Sequence, residues 1–319
     1  MKKRSLSEKA IILMVIIVAF YVIIVLYSDL NAIVEQTNKI DFGYLPIISI
    51  FMIIQIGVLG IKFHRLLKKL NINISFKESI RIFIAGISLV ATPGGVGTAI
   101  KSHILKKKYG KSISSTLPII LLERLTELLA VLILLTFFLF WNISYESIIA
   151  VIIGYTIFFV ILMITSNNKI FDRIKNFIIR IKRIKKLSLA IDESQESYRK
   201  LLNKNTFFEA LGWSILGKSA QFLSVYFIFL SIGINFDWFQ IGEIYHTPLI
   251  LGLISFIPSG IIITESSMIA ILVKNNIELS LATLTVIFIR IVTIWIPIIV
   301  GLIVLKQTKL TTSEIDESL

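Results

Sequence analysis

A chain of 319 residues in which 55% of side chains are hydrophobic and only 17% charged is too apolar for a water-soluble globule, where about a quarter of residues carry charge. It has no cysteine, which excludes disulfide frameworks, thiolate nucleophiles and cysteine-built zinc or iron–sulfur centres. The formal net charge of +13 sits in connections between apolar runs, where it orients a membrane protein and meets the anionic inner leaflet rather than nucleic acid.

Lys2, Lys3, Arg4 and Lys9 precede an apolar run over 11–27 that is too long for a signal peptide and has no small-residue cleavage site. It reads as a retained first span of a plasma-membrane protein whose amino terminus is cytoplasmic. Asp29, Glu35 and Asp41 then mark an outer loop. Further spans are predicted over 45–61, 114–140, 147–165, 207–230 and 281–305, each long enough for a hydrocarbon core of about 30 Å. Lys62, Arg65, Lys68, Lys69, Lys77 and Arg81 place the connection after the second span inside, and Lys101, Lys106, Lys107, Lys108 and Lys111 do the same after residue 100. The stretch 78–100 between them therefore enters and leaves on one side, as a re-entrant hairpin. Its ATPGGVG, with Pro93, Gly94, Gly95 and Gly97, permits irregular backbone, which at membrane depth must be buried in protein or face a water-filled cavity. Residues 166–206 carry eleven Lys or Arg against four acids and form a cytoplasmic linker. Within it, 169–187 interleave Ile and Phe with Lys and Arg as a basic amphipathic helix on the inner leaflet, or simply as a topology determinant. If the last span ends inside at Lys306 and Lys309, a second hairpin over 241–273, broken at Pro258 and Gly260, must open outward.

The expected architecture is thus all-α and polytopic, with about six full spans and two broken re-entrant hairpins in an inverted repeat. It divides into a first half (1–140), a span and basic linker (141–206), a second half (207–305) and a polar tail (306–319). Each half reads Pro, any residue, Gly, then an arginine 31 or 32 residues after the proline: Pro93, Gly95, Arg124 and Pro258, Gly260, Arg290. Opposed repeats of this kind characterise secondary transporters, with the site at their interface near the midplane. Counting about 1.5 Å per residue, both arginines reach the middle of the membrane, where a charge must be paired or functional. Glu123 and Glu127 flank Arg124, with Glu127 at the favourable three-residue spacing, and Glu265 is the candidate partner for Arg290. Lys218 adds a cation at similar depth. The competing reading of these charges is internal ion pairs that only fix helix packing.

PGGVG with LLERLTELLAVLIL, and IPSGIIITESSMIAIL with FIRIVTIWIPIIVGLIVL, resemble the lysylphosphatidylglycerol synthase transmembrane-region family, which includes the flippase part of the multiple peptide resistance factor. The resemblance covers nearly the whole chain. Family members often have Gly-Glu and a following Arg after the first proline, where this chain has Gly97, Thr98 and Lys101. Of the second motif, Pro-Gly-Gly-x-Gly-x-x-Glu, Pro258, Gly260 and Glu265 are present and Ile262 replaces a glycine. The resemblance implies a translocating membrane region without the soluble aminoacyltransferase domain, hence not an enzyme.

Other signals are weaker. Glu243 and His246 form a lone Glu-x-x-His, whereas a di-iron bundle needs two plus further carboxylates, so no metal and no cofactor are expected. His103, beside Lys101, stands at the mouth of the first hairpin, near enough to meet a phosphate or to be solvated loop. The sequence therefore predicts a carrier that moves an anionic or aminoacylated phospholipid, or a lipid-linked headgroup, between leaflets. Arg124, Arg290, Lys218 and Lys101 would hold phosphate, and Glu123, Glu127 and Glu265 would balance them or receive an amine. The alternatives are a membrane-embedded lipid-modifying enzyme and a noncatalytic partner of a separate transferase.

Overall fold

The structure, a computed structural model, describes residue 22 and residues 30–90, 100–141, 143–166, 188–255 and 260–308. The first span apart from residue 22, Pro93, Gly94, Gly95, Gly97, Pro258, the expected amphipathic stretch 169–187 and most of the polar tail lie outside the described residues.

The described chain is helical. A short helix α1 (Leu30–Thr37) and a 3₁₀ turn (Phe42–Tyr44) lead into α2 (Leu45–Lys69). Two short helices, α3 (Phe76–Ile87) and α4 (Ile100–Tyr109), flank the first glycine-rich segment and precede the long α5 (Ile113–Phe138). Then come α6 (Tyr145–Ser166), α7 (Ser188–Leu201) and α8 (Lys204–Ser231). The second broken pair is α9 (Trp238–Ile254) and α10 (Ile263–Lys274). It is followed by α11 (Leu279–Arg290), a π-helical turn (Ile291–Trp295) and α12 (Ile296–Gln307). Short polar side chains set the reversals by capping exposed amide N–H groups. Ser75 accepts from the Glu78 N–H at the start of α3, Ser112 from that of Ser115 before α5, and Asp237 from those of Phe239 and Gln240 before α9.

Among the described residues four segments are long and apolar enough to cross a membrane: 42–69, 145–165, 204–231 and 279–307. The helix α5 has the length, but Glu123, Arg124 and Glu127 interrupt its apolar run. Isoleucine, valine and methionine side chains along α6 and α12 stand exposed, including Ile152, Val160 and Met163 on one and Ile299, Val300 and Ile303 on the other. An apolar surface of this extent suits lipid and not water. The protein is a multi-pass membrane protein.

The helix α2 differs from the expected span in its end. It runs eight residues beyond 61, carrying Lys62, Arg65, Lys68 and Lys69 on helix instead of in a connection. The reason is the apolar stripe, which continues through Phe63, Leu66 and Leu67, all buried in a cluster with Ile82, Ile104 and Leu122. Likewise residues 100–109 are helix, not loop, and His103 is half-buried there.

Helices α2 and α8 lie antiparallel. Ser224 donates to the Ile48 carbonyl (3.1 Å) near one end, and Lys69 meets Glu209 (3.2 Å) at the other. The long helix of each half packs on the first arm of the other half's broken pair, α5 against α9 and α12 against α3. At the second of these contacts Gly301 sits directly on backbone, so that a Cβ there would stand 2.6 Å from Ser88 N and 2.8 Å from the Ile84 carbonyl oxygen. Small residues at such crossings are what let membrane helices approach.

In the break of the second pair Gly260 has φ +63°, and Ile262, where the resemblance implies glycine, has φ +80°. The latter is costly for a β-branched residue.

Two outcomes test this packing. Gly301→Leu is expected to lower stability by about 2 kcal/mol through forced separation of α3 and α12, read as a drop in Tm of the purified protein in detergent. Ile262→Gly is expected to raise Tm, because relief of about 1–3 kcal/mol of backbone strain outweighs loss of a half-buried side chain. A lowered Tm would show that Ile262 is not strained.

Candidate functional site

Helices from the amino-terminal and carboxy-terminal parts of the chain surround a cavity of about 360 Å³, within the usual range of ligand pockets, about 300–1,000 Å³. Helices from both contribute to it, with Gln55 on α2, Glu123 and Glu127 on α5, Lys218 and Gln221 on α8, and Arg290 at the end of α11. Of the residues the sequence singled out, Lys101, Arg124 and Gly260 also line it, and Glu265 lies behind Arg290.

Two buried ion pairs hold it. In the first half Lys101 on α4 donates to Glu123 on α5. In the second, Arg290 Nε stands 2.8 Å from Glu265 Oε1, joining α11 to α10. In each half the helix after the glycine break is tied to the next helix, but with the signs exchanged: cation then acid in the first half, acid then cation in the second. All four side chains are nine-tenths buried or more. Taking them out of water is expensive, and only the partner offsets that cost. Lys101 reaches inward because Gly86 on α3 leaves room for its stem, which a Cβ would strike. The sequence placed Lys101 on a cytoplasmic flank; instead its ammonium is buried over the rings of Phe63 and Phe83, at 4.9 and 5.2 Å from their centroids.

The third feature has unequal charge. Glu127 receives Lys62 at 3.1 Å and Arg124 at 3.4 Å. Lys62 is wholly buried and also donates to Ser214 Oγ at 3.0 Å. Arg124, whose side chain is 46% exposed, stands at the rim. Lys218 donates to Gln221 Oε1 (3.1 Å) and has no carboxylate within ion-pair distance among the described residues. Glu123 therefore does not serve Arg124, its sequence neighbour, but Lys101 across the helix pair.

Arg290 shows a related excess. Its Nη2 is buried, without an acceptor among the described residues. Directly after it the helix widens into the π turn Ile291–Trp295, and Thr293 and Ile294 of that turn reach the cavity. Such bulges redirect side chains and recur at functional positions.

Sequence reasoning missed Lys62, Ser214, Gln221, Gln55 and the buried Tyr245. The signal for Lys62 was present, because Leu59, Phe63 and Leu66 surround it at three- and four-residue spacing on the buried stripe of α2. The Glu243 and His246 pair is used within the fold. Glu243 accepts from Ser147 Oγ (2.6 Å), and His246 Nδ1 lies 2.7 Å from the Gly242 carbonyl oxygen, its ring against Phe138 and Phe222.

Residues 11–301 match the family model described as lysylphosphatidylglycerol synthase TM region. The chain belongs to this family. Among its relatives, a UPF0104 membrane protein of Pyrococcus horikoshii is 26% identical over 96% of this chain and 99% of its own length. One of Methanocaldococcus jannaschii is 32% identical over 66% of this chain and 89% of its own. A third, from Methanothermobacter thermautotrophicus, is 20% identical over 91% and 93%. The family assignment concerns the membrane region, and the matched span takes in every residue that lines the cavity.

Arg290→Met alone would leave Glu265 buried without its guanidinium and is expected to lower stability in detergent by about 3 kcal/mol or more, whereas Arg290→Met with Glu265→Leu recovers most of the loss. Equal losses of Tm in the single and double variants would show that this pair is not a coupled unit.

Proposed function

We propose that the chain is a lipid carrier that passes a negatively charged phospholipid or lipid-linked headgroup between leaflets through the central cavity. The observation that carries this reading is the excess of cationic side chains over carboxylates in a cavity inside a membrane protein. Buried charge of one sign, held on helices of both halves, calls for a mobile partner of the other sign. The aliphatic remainder of the lining accommodates a chain, and the rim at Arg124 and the exposed Leu121 gives the headgroup a lateral way in.

In this reading α3/α4 and α9/α10 are two re-entrant hairpins of one inverted repeat, in a plasma membrane with the amino terminus in the cytoplasm. Three contacts support it. The first pair's outer ends are joined by Lys108 and Glu78 (2.8 Å), next to the turn that follows Lys69. Lys274 at the end of the second pair meets Glu146 (2.7 Å), and Gln240 meets Asn275 (3.0 Å), near the opposite end of α8. The exchange of long helices between halves, α5 on α9 and α12 on α3, is the reciprocal contact a two-fold relation would produce. Rocking one half against the other about those contacts would turn the cavity from one leaflet to the other, with the ion pairs Lys101–Glu123 and Arg290–Glu265 travelling as fixed parts of their halves.

Reconstitution tests the proposal. In phosphatidylcholine vesicles containing tail-labelled fluorescent phosphatidylglycerol, dithionite bleaches only outer-leaflet probe unless lipid exchanges. Vesicles with the protein are expected to lose the inner-leaflet signal as well, and Lys218→Gln and Arg290→Gln to slow that loss about tenfold or more. Exchange no faster than in protein-free vesicles for phosphatidylglycerol, phosphatidic acid and lysylphosphatidylglycerol alike would overturn the carrier.

A further inference from the structure

The charge balance of the cavity narrows the substrate further. The pairs Lys101–Glu123 and Arg290–Glu265 each cancel. What remains is one carboxylate, Glu127, which meets Lys62, wholly buried behind the lining, and Arg124 at the rim, while Lys218 on the same cavity has no carboxylate of its own within ion-pair distance among the described residues. The segments that interrupt the two helix pairs, 91–99 and 256–259, contain no charged residue, and neither does the apolar run 11–27. Among the described residues the surplus is therefore two positive charges. Lys218 stands near the middle of a 28-residue helix that is long and apolar enough to span the membrane, and Arg290 Nη2 adds a buried donor that has no acceptor among the described residues. A charge at that depth needs a counter-charge close by.

A lipid phosphodiester brings one negative charge and leaves one cation uncompensated. A lysylated lipid brings net positive charge and worsens the imbalance. The terminal phosphate of a phosphomonoester or pyrophosphate carries close to two negative charges at neutral pH and presents three terminal oxygens in place of two, which suits a cavity lined by Lys218, Arg124 and Arg290. We infer that the cavity selects a lipid bearing a doubly charged terminal phosphate, a phosphomonoester or pyrophosphate, over diester and aminoacylated lipids. The inference rests on the carrier reading for its cavity but concerns which headgroup that cavity holds. The chain of such a lipid would lie against Leu121, Leu128, Ile157 and Ile161.

Binding can be read without transport. The full chain, purified in detergent at pH 8, is titrated with dioctanoyl phosphatidic acid and with dioctanoyl phosphatidylmethanol, which has the same chains and one methyl ester that fixes the phosphate at a single charge. Farnesyl phosphate is the isoprenoid counterpart, and ligand-dependent thermal stabilisation gives apparent Kd values. Phosphatidic acid or farnesyl phosphate, or both, is expected to bind about tenfold or more tightly than phosphatidylmethanol, and whichever does so identifies the glycerolipid or isoprenoid source. Lys218→Gln is expected to bring that ratio to about one while phosphatidylmethanol binding persists, and Lys218→Arg to retain the preference. Persistence of diester binding shows that the Gln variant is folded. A ratio near one in the unaltered protein, or tighter binding of lysylphosphatidylglycerol than of phosphatidic acid, overturns the inference, and equal stabilisation by inorganic phosphate overturns its lipid part. Failure here is separable from failure of the carrier. Leaflet exchange without monoester preference removes only the headgroup assignment, and monoester preference without leaflet exchange removes only the carrier.

Discussion

Charged groups inside a hydrocarbon layer must be neutralised by something within reach, and this constraint organises the protein. Lys101 with Glu123, and Arg290 with Glu265, sit where water cannot solvate them, so each member is tolerable only because the other is held against it. Holding them requires rigid neighbours. The stem of Lys101 lies over Gly86, and α12, which continues from Arg290 through the π turn, is seated on α3 by Gly301. The ion pairs are thus consequences of close helix packing as much as causes of it. Each ties the helix after a glycine break to the long helix that follows.

The remaining charges obey the same constraint differently. Lys62, Arg124 and Lys218 converge on a region where Glu127 is the nearby carboxylate, and the hydroxyl of Ser214 and the amide of Gln221 supply neutral acceptors. A neutral oxygen satisfies a hydrogen bond but not a charge. In the proposed carrier the difference between the two balanced pairs and this unequal cluster would separate scaffold from site, the surplus of cations around Glu127 giving the cavity its demand for an anion. The half-exposed guanidinium of Arg124 at the rim extends that demand outward, where a headgroup entering from lipid would meet it first.

Family membership bears on this in a limited way. The matched model describes the membrane region of an enzyme that makes an aminoacylated lipid, and the relatives are themselves described only as membrane proteins. Against the motif that the resemblance implies, this chain keeps a cation at Lys101 and has an uncharged threonine at position 98. Substrate selection follows such local charge, not the fold that carries it.

Composition and apolar runs alone determined that this is a helical membrane protein, because an apolar run of about twenty residues has few stable alternatives to a spanning helix. Proline and glycine at 93–97 and 258–260 marked where breaks were expected, and arginine, glutamate and lysine inside apolar surroundings flagged residues that line the cavity, since charge at depth is rare without purpose. Spacing on one helix also brought Glu127 to Arg124. Which charges pair across helices was decided only in three dimensions. Glu123 serves Lys101 instead of its neighbour Arg124, and Lys62, which by position belonged to a basic loop, is buried because α2 continues its apolar stripe past residue 61. Those outcomes depend on helix rotation and on close approaches between segments far apart in the chain. No local pattern encodes them, because the energy that selects them arises only when α2, α5 and α8 are packed together.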